Sequence, residues 1–266
     1  MLAEQRKKRI VQEVQKNGAV HVQDLAKLLD VSPMTVRRDL AELDDQGFLT
    51  RIHGGAESTA STLEPAYAEK MTLNAEAKSA IARTAADMVG TNQSIGFSAG
   101  TTCTRLAQAI TGRHHLANLT VVTNSLPVAD EFFRAQDVQE TADRKHSSPQ
   151  QVLLTGGERT PSDALVGPLA DATLGYLHVD TLFIGAHGVG RSGLTTPNLA
   201  EARTNKVLVH SARTVVAVFD HTKWGITGLA GFADWSEVDV VVTSPGLPED
   251  ALEFLEEKID KVVIAS

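Results

Sequence analysis

The sequence predicts an α/β chain in two parts: a small helical N-terminal domain, then a larger domain in which helices alternate with strands of a mostly parallel sheet. Three observations carry that expectation. At 266 residues the chain exceeds one small domain. Up to about residue 57 its apolar residues recur at helical spacing, whereas from about residue 76 helical runs alternate with compact β-branched runs. Those later runs are continuously apolar rather than alternating, as strands buried on both faces of a parallel sheet are.

Residues 4–17 read as a helix, with Ile10, Val11 and Val14 on one face and Gly18 as the stop. Val20 and Val22 bracket a short extended piece, and Asp24 begins a second helix carrying Leu25, Ala26, Leu28 and Leu29. Asp30-Val31 is a tight turn. Ser32 is a good N-cap for a third helix, with Pro33 at the first helical position, where no amide bond is lost. Val36, Leu40 and Leu43 follow at i, i+4 and i+7 and form the buried stripe. Met34, Thr35, Arg37 and Arg38 fall off that stripe and face outward. Two short helices joined by such a turn make a helix-turn-helix. The second presents small polar groups and two arginines from its first turns, which suits a DNA major groove. Arginine can bond a guanine edge or a phosphate in two places at once. Gly47 closes this helix, 48–52 reads as a strand and Gly54-Gly55 as a tight turn. Arg51 and His53 flank that turn as a wing that can touch phosphate or the minor groove. The DNA-binding candidates are therefore Ser32, Met34, Thr35, Arg37, Arg38, Arg51 and His53.

The net charge of −8 argues at first against a nucleic-acid partner. Its distribution removes the objection. Residues 1–60 hold nine Lys/Arg and nine Asp/Glu, so the acidic excess lies entirely in the larger domain. A neutral reading head implies modest non-specific affinity, so tight binding leans on base contacts and paired subunits, as a homodimer or homotetramer. Apolar content of 42% and charged content of 22% are those of an ordinary folded protein. No run of about 18 apolar residues is present, so no membrane partner is expected. The polar, basic start gives no signal peptide, and a cytoplasmic location is expected. The single cysteine, Cys103, rules out a disulfide within the chain and argues against a zinc site. The nine histidines are scattered, and His114-His115 has no ligand partner at metal spacing, so neither metal nor cofactor is expected.

Residues 57–77 are rich in Ser, Thr, Ala and Glu and include Pro65. The organisation expected is a DNA-binding domain at 1–57, a linker at 58–75 with a short helix near 66–71, and an effector domain at 76–266. In the last, strands are expected at 94–97, 120–123, 151–155, 181–185, 214–219, 239–243 and 261–265. Helices are expected near 76–90, 102–112, 126–135, 163–177, 197–212 and 248–258. The polar segment 134–150 reads as an exposed, mobile loop. Ligands of such folds sit just past the carboxyl ends of strands. There the chain places Ser98-Ala99-Gly100-Thr101-Thr102, Asn124-Ser125, Gly156-Gly157, Gly185-Ala186-His187-Gly188, and Asp220 with Lys223. Small-residue turns let backbone amides approach a phosphate, with hydroxyls and a helix N-terminus adding donors.

Two stretches resemble the DeoR family of bacterial transcription regulators. The first is Asp24-Leu25-Ala26, Val31-Ser32, Thr35-Val36-Arg37-Arg38-Asp39-Leu40, Leu43, Gly47 and Arg51-Ile52-His53-Gly54-Gly55-Ala56. The second is Lys78 with Ile81-Ala82, Gly100-Thr101-Thr102, Thr123-Asn124-Ser125, Gly156-Gly157, Asp180, Phe183-Ile184-Gly185, Gly188, Gly193-Leu194-Thr195-Thr196, Glu201-Ala202, and Asp220 with Lys223 and Gly225. The resemblance implies a sensor domain related in fold to ribose-5-phosphate isomerase, a phosphorylated sugar as effector, and repression of genes for sugar uptake or catabolism on a double-stranded DNA operator. The effector-binding candidates are Lys78, Ser98, Gly100, Thr101, Thr102, Asn124, Ser125, Gly156, Gly157, Gly185, His187, Glu201 and Lys223. Ser98 departs from the acidic residue that commonly opens the family's phosphate loop. An isomerase-type enzyme with an appended DNA-binding domain is the alternative, as is an activator. The isomerase relatives have acidic residues in the turn that here reads Gly185-Ala186-His187-Gly188, and none remains. Binding without turnover is the expectation.

Overall fold

The computed structural model describes residues 3–17, 19–45, 48–52, 54–57, 67–113, 115–141 and 151–266. The chain divides into two compact units, Met1–Glu64 and Pro65–Ser266. His53 and the expected helix stops at Gly18 and Gly47 lie outside the described residues.

The N-terminal unit holds helices α1 (Ala3–Asn17), α2 (Val22–Leu29) and α3 (Pro33–Asp45) and strands β1 (Ala19–His21), β2 (Thr50–Ile52) and β3 (Gly55–Glu57). The strands form an antiparallel sheet in the order β1-β3-β2. Ile10, Val14, Leu25, Leu29, Val36, Leu40, Leu43 and Ala56 make its core. The second helix begins at Val22, two residues before the expected Asp24, because Val22 is a buried member of its apolar face. Asp30 closes it in the left-handed conformation at φ 51°. Phe48 and Leu49 precede the strand expected at 48–52 rather than forming part of it, and Leu49 turns into the core.

An ion pair fixes α3 against α1. Asp39, 4% exposed, accepts from Arg6 Nε at 2.6 Å and Nη2 at 3.1 Å. Asp39→Ala should destabilise this unit by roughly 2 kcal/mol, more than an exposed pair contributes and less than a fully buried one. Faster amide exchange in α1 and α3 at an unchanged rate in the C-terminal unit would show it, and an unchanged rate in both would refute it.

The C-terminal unit begins with α4 (Tyr67–Thr72) and α5 (Ala75–Ala86). Then follow β4 (Ser94–Phe97), α6 (Thr101–Thr111), β5 (Thr120–Thr123), α7 (Leu126–Thr141), β6 (Gln151–Leu154), β7 (Glu158–Arg159), β8 (Leu165–Val166), α8 (Pro168–Leu174) and β9 (Val179–Ile184). The chain continues through β10 (Gly188–Gly190), β11 (Gly193–Thr196), α9 (Leu199–His210), β12 (Ala212–Phe219), β13 (Ala230–Ala233), β14 (Val240–Thr243), α10 (Glu249–Lys258) and β15 (Lys261–Ile264). Seven strands form one sheet, in the order β15-β14-β12-β9-β4-β5-β6, and every neighbouring pair is parallel. These are the seven strands expected from the sequence. One core cluster, with Ile81, Phe97, Leu106 and Phe132, and another, with Leu182, Val215, Phe219 and Trp235, contain strand residues from this sheet.

Two expectations need correction. The helix expected over 163–177 starts only at Pro168, since Gly167 at φ 94° leaves the helical region and Leu165–Val166 instead pairs with Glu158–Arg159. The loop expected over 134–150 is helical as far as Thr141. Its Gln- and Glu-containing polar stretch is a good helix former, and polarity alone misread it as a loop. Residues 142–150 lie outside the described residues. The antiparallel sheet β10-β11-β13 was not expected, because its strands are short and contain glycine.

Candidate functional site

The α3 helix starts as its residues dictate. Thr35 N–H donates to Ser32 Oγ at 3.1 Å, the bond of an N-cap to the third helical residue, and the two hydroxyls lie 2.9 Å apart. Met34 is 71% exposed, and Arg37 and Arg38 are also exposed. Their settings differ. Arg38 Nε lies 3.5 Å from Glu42 Oε1, while Lys7 Nζ holds Glu42 Oε2 at 2.6 Å. Arg37 joins no ion pair among the described residues. Arg51 is exposed on β2, with its backbone N–H on Asp44 Oδ1 at 3.3 Å.

In the C-terminal unit the strand order reverses direction between β4 and β9. Successive strands β4, β5 and β6 run outward one way, and β9, β12, β14 and β15 the other. The turns leaving β4 and β9 therefore diverge and open a crevice, the place where sheets of this class bind ligands. Ser98 joins the two strand ends. It is fully buried, its Oγ accepts from Gly185 N–H at 3.1 Å, and its own N–H donates to Phe183 O at 3.1 Å. Gly100 caps α6 at φ 136°, a conformation that side chains rarely adopt, and a Cβ there would meet nothing within 4 Å. Thr101 and Thr102 are buried in the first turn of α6.

Asn124 and Ser125 are buried and serve the local frame. Asn124 Nδ2 donates to Leu165 O at 3.1 Å, and Ser125 Oγ accepts from Val128 N–H at 3.4 Å. Gly157, at φ 120°, lets β8 approach so closely that a Cβ would sit 2.5 Å from Val166 O. Gly156 precedes it at φ 72°. His187 is half-buried, and its backbone N–H donates to Thr195 O at 3.1 Å.

Next to this frame lies a cluster of charge. Lys78 is 4% exposed, and its Nζ donates to Lys70 O at 2.7 Å. Burial first, then the field of Lys223, pulls its pKa down to about 8, with Arg105 and Lys70 adding to the effect and Asp220 opposing it. Asp220 is 1% exposed at the end of β12. Its Oδ1 accepts from Asn74 Nδ2 at 3.2 Å, Thr222 N–H at 3.1 Å and the Thr222 hydroxyl, while Oδ2 is buried with no hydrogen-bond partner among the described residues. Three further cations, Lys223, Arg105 and Lys70, and one carboxylate, Asp220, thus act on the Lys78 ammonium. A hydrogen-bonded chain leads on from them. Lys70 Nζ donates to Ser162 Oγ at 3.4 Å, Ser162 N–H to Thr160 Oγ1 at 3.3 Å, and Thr160 Oγ1 to Glu201 Oε1 at 2.6 Å. Thr196 Oγ1 donates to the other Glu201 oxygen at 3.3 Å.

The structure thus brings Lys78, Lys223 and Glu201 into one connected set and adds Arg105, Lys70, Thr160, Thr196 and Asp220. Sequence reasoning had not singled out Arg105, Lys70 or Thr160, and it had named Thr196 only within the second resembling stretch, not as a site residue. The usable signal for Arg105 was its place four residues after Thr101 on the helix that opens at the Gly100 turn. Among the described residues no group of three or more His, Cys, Asp or Glu could hold a metal ion, and no helix is long and apolar enough to cross a membrane.

Residues 6–62 match the model of the DeoR-like helix-turn-helix domain, and residues 73–245 that of the DeoR C-terminal sensor domain. The chain belongs to the DeoR family. It is 36% identical over 259 residues to the HTH-type transcriptional regulator GlpR of Haloferax volcanii, covering 96% of this chain and 95% of that one. It is 34% identical over 236 residues to the lactose phosphotransferase system repressor of Staphylococcus aureus strain N315, covering 88% of each. Among solved structures, ribose 5-phosphate isomerase A of Methanocaldococcus jannaschii is similar at a TM-score of 0.40 and 16% identity, covering 57% of this chain and 55% of that chain.

Proposed function

We propose that this protein is a repressor of sugar uptake or catabolism genes that leaves its double-stranded DNA operator when a phosphorylated sugar binds the C-terminal unit. The observation that carries the reading is the buried Lys78 ammonium, on which three further cations, Lys223, Arg105 and Lys70, act against a single buried carboxylate, Asp220. Such an excess of positive charge suits a dianion, and a phosphate monoester is close to one at neutral pH. Glu201, held by two threonine hydroxyls, is the acceptor for sugar hydroxyls. In this reading the turn amides and hydroxyls at Gly100, Thr101, Thr102, Gly156, Gly157, Gly185 and His187 supply further donors around the crevice. Ser98, Asn124 and Ser125 act by holding its walls. In the N-terminal unit Ser32, Met34, Thr35, Arg37, Arg38 and Arg51 meet the operator, together with His53.

In this reading residues 1–57 read DNA, 58–75 connect, and 76–266 sense the effector. One recognition helix spans too few base pairs, so the working form is a homodimer or homotetramer in the cytoplasm. The protein is not an enzyme. Isomerisation needs a positioned base beside a carbon acid, and the Gly185-Ala186-His187-Gly188 turn has no carboxylate. The relative named as a lactose phosphotransferase system repressor supports the sugar and repressor parts of the reading. A gel-shift titration on the gene's own upstream DNA, with a panel of sugar phosphates, tests it. At least one should dissolve the complex, and none should be converted in a turnover assay. Sustained conversion would replace the regulator reading with the enzyme one.

The Lys78 pKa gives a pH signature. Below about pH 8 its ammonium is already charged, so a phosphate binds without recruiting a proton. Above about pH 8 the amine is neutral in the free protein and binding must take up a proton, so effector affinity falls by up to about tenfold per pH unit. The same group is easier to protonate unfolded, at its ordinary 10.5, so its burial costs stability fully below about pH 8, and stability returns as pH rises from 8 through 10.5. Calorimetry in two buffers of different ionisation enthalpy should detect proton uptake at pH 9 and little at pH 7. Equal uptake at both would remove Lys78 from the site.

A further inference from the structure

The six-residue helix α4 is too short to persist on its own hydrogen bonds. Its last carbonyls have no partner within the helix. Two of them are met from outside by cations. Lys78 Nζ, from α5, takes Lys70 O at 2.7 Å, and Arg105 Nη2, from α6, takes Met71 O at 2.9 Å. Arg105 Nη1 also donates to Ser79 Oγ at 3.2 Å, which holds the guanidinium against α5. At the other end of α4, Tyr67 Oη donates to Oγ1 of Thr104, the residue before Arg105 on α6, at 2.7 Å.

The carbonyls of α4 therefore draw on two cations of the charge cluster described above, Lys78 and Arg105. A carbonyl is a weak acceptor for an ammonium or guanidinium compared with a phosphate oxygen, which carries charge. Arg105 Nε is buried without a partner among the described residues, so the guanidinium is not fully satisfied where it stands. We propose that Lys78 and Arg105 serve α4 and the effector's phosphate in competition, so that phosphate binding unlatches α4. The proposal rests on the anion site described above and adds Arg105 to it as a ligand. It also supplies a route for the signal. In the sequence α4 follows directly on the segment that joins the two units, whose boundary falls at Glu64 and Pro65. Helix α4 held and α4 released then present that segment with two different anchors. An effector that favours the released arrangement shifts the equilibrium between them.

Hydrogen exchange on the full chain tests this, with inorganic phosphate as the probe, its binding followed in parallel by calorimetry, and chloride as the control anion. Saturating phosphate should accelerate exchange of the 67–72 amides by about tenfold or more while leaving β4, β9 and β12 unchanged. Arg105→Met should accelerate the same amides without phosphate, and phosphate should then add little. Phosphate that binds yet slows or does not change exchange in 67–72 would overturn the latch and leave the anion site standing. Failure of phosphate to bind would overturn both. If Arg105→Met loosened the whole unit, the unmodified chain with and without phosphate would still decide.

Discussion

Arg37→Ala should weaken operator binding more than any other single change on α3, by roughly 10- to 100-fold at physiological salt. A bidentate arginine on a base edge contributes about 1–3 kcal/mol of discrimination. Arg37 is exposed and joins no ion pair among the described residues, so its donors are available to DNA without breaking an internal contact. Arg38 shares its charge with Glu42, which is itself held by Lys7, so Arg38→Ala should cost less. Glu42→Gln carries the opposite sign. Removing a carboxylate from the neighbourhood of Arg38, Lys7 and a phosphate backbone should tighten binding. The salt dependence separates the roles. If Arg37 meets a phosphate, its loss lowers the slope of log affinity against log salt by about one; if it reads a base, the slope holds and specificity at one position relaxes. An Arg37→Ala protein with unchanged operator affinity would remove α3 from the reading position.

How much of this was legible in the sequence follows from what each element asks of its residues. The inner parallel strands were readable because burial on both faces forces continuous apolar runs, as in Val121 and Val122 or Val240 to Val242, and the less buried edge strands carry similar runs at Val152 to Leu154 and Val262 to Ile264. The third helix was readable because cap, proline and stripe all agree at Ser32, Pro33 and Val36. The antiparallel strands β10, β11 and β13 carry no such run. They are held by backbone approaches that glycine permits, as at Gly193, where a Cβ would stand 2.1 Å from Ala233 O. The boundary at Pro168 was missed because Ala164, Leu165 and Val166 look helical by composition, and only the conformation of Gly167 separates them from α8. In the candidate site, Lys78 and Lys223 were legible from their resemblance to a family pattern. Arg105 was not, since a lone arginine on a helix is ordinary until the fold shows which residues face it. Ser98 reads as an open turn hydroxyl in the sequence, yet in the fold it is a buried cross-link between β4 and β9.

Lys223→Ala should raise the concentration of phosphosugar needed to release the operator by about 10- to 100-fold while leaving operator affinity in its absence unchanged. The lower figure corresponds to a charge-assisted hydrogen bond of about 1.5 kcal/mol and the upper to about 3 kcal/mol. Lys223 is the cleaner target than Lys78. It is half-exposed beyond the end of β12, whereas Lys78 is buried and also secures α4 through Lys70 O. The substitution has a second consequence that simple loss of a surface lysine would not produce. After burial, Lys223 is the largest cause of the low Lys78 pKa, so its removal lets that pKa rise from about 8 toward its ordinary value. The pH above which effector affinity falls should then move upward in the variant, even as affinity at neutral pH drops. Proton uptake measured across pH for both proteins gives that midpoint directly. A weakened response with an unmoved midpoint would mean that Lys223 meets the effector away from Lys78, and the two could not then share one phosphate.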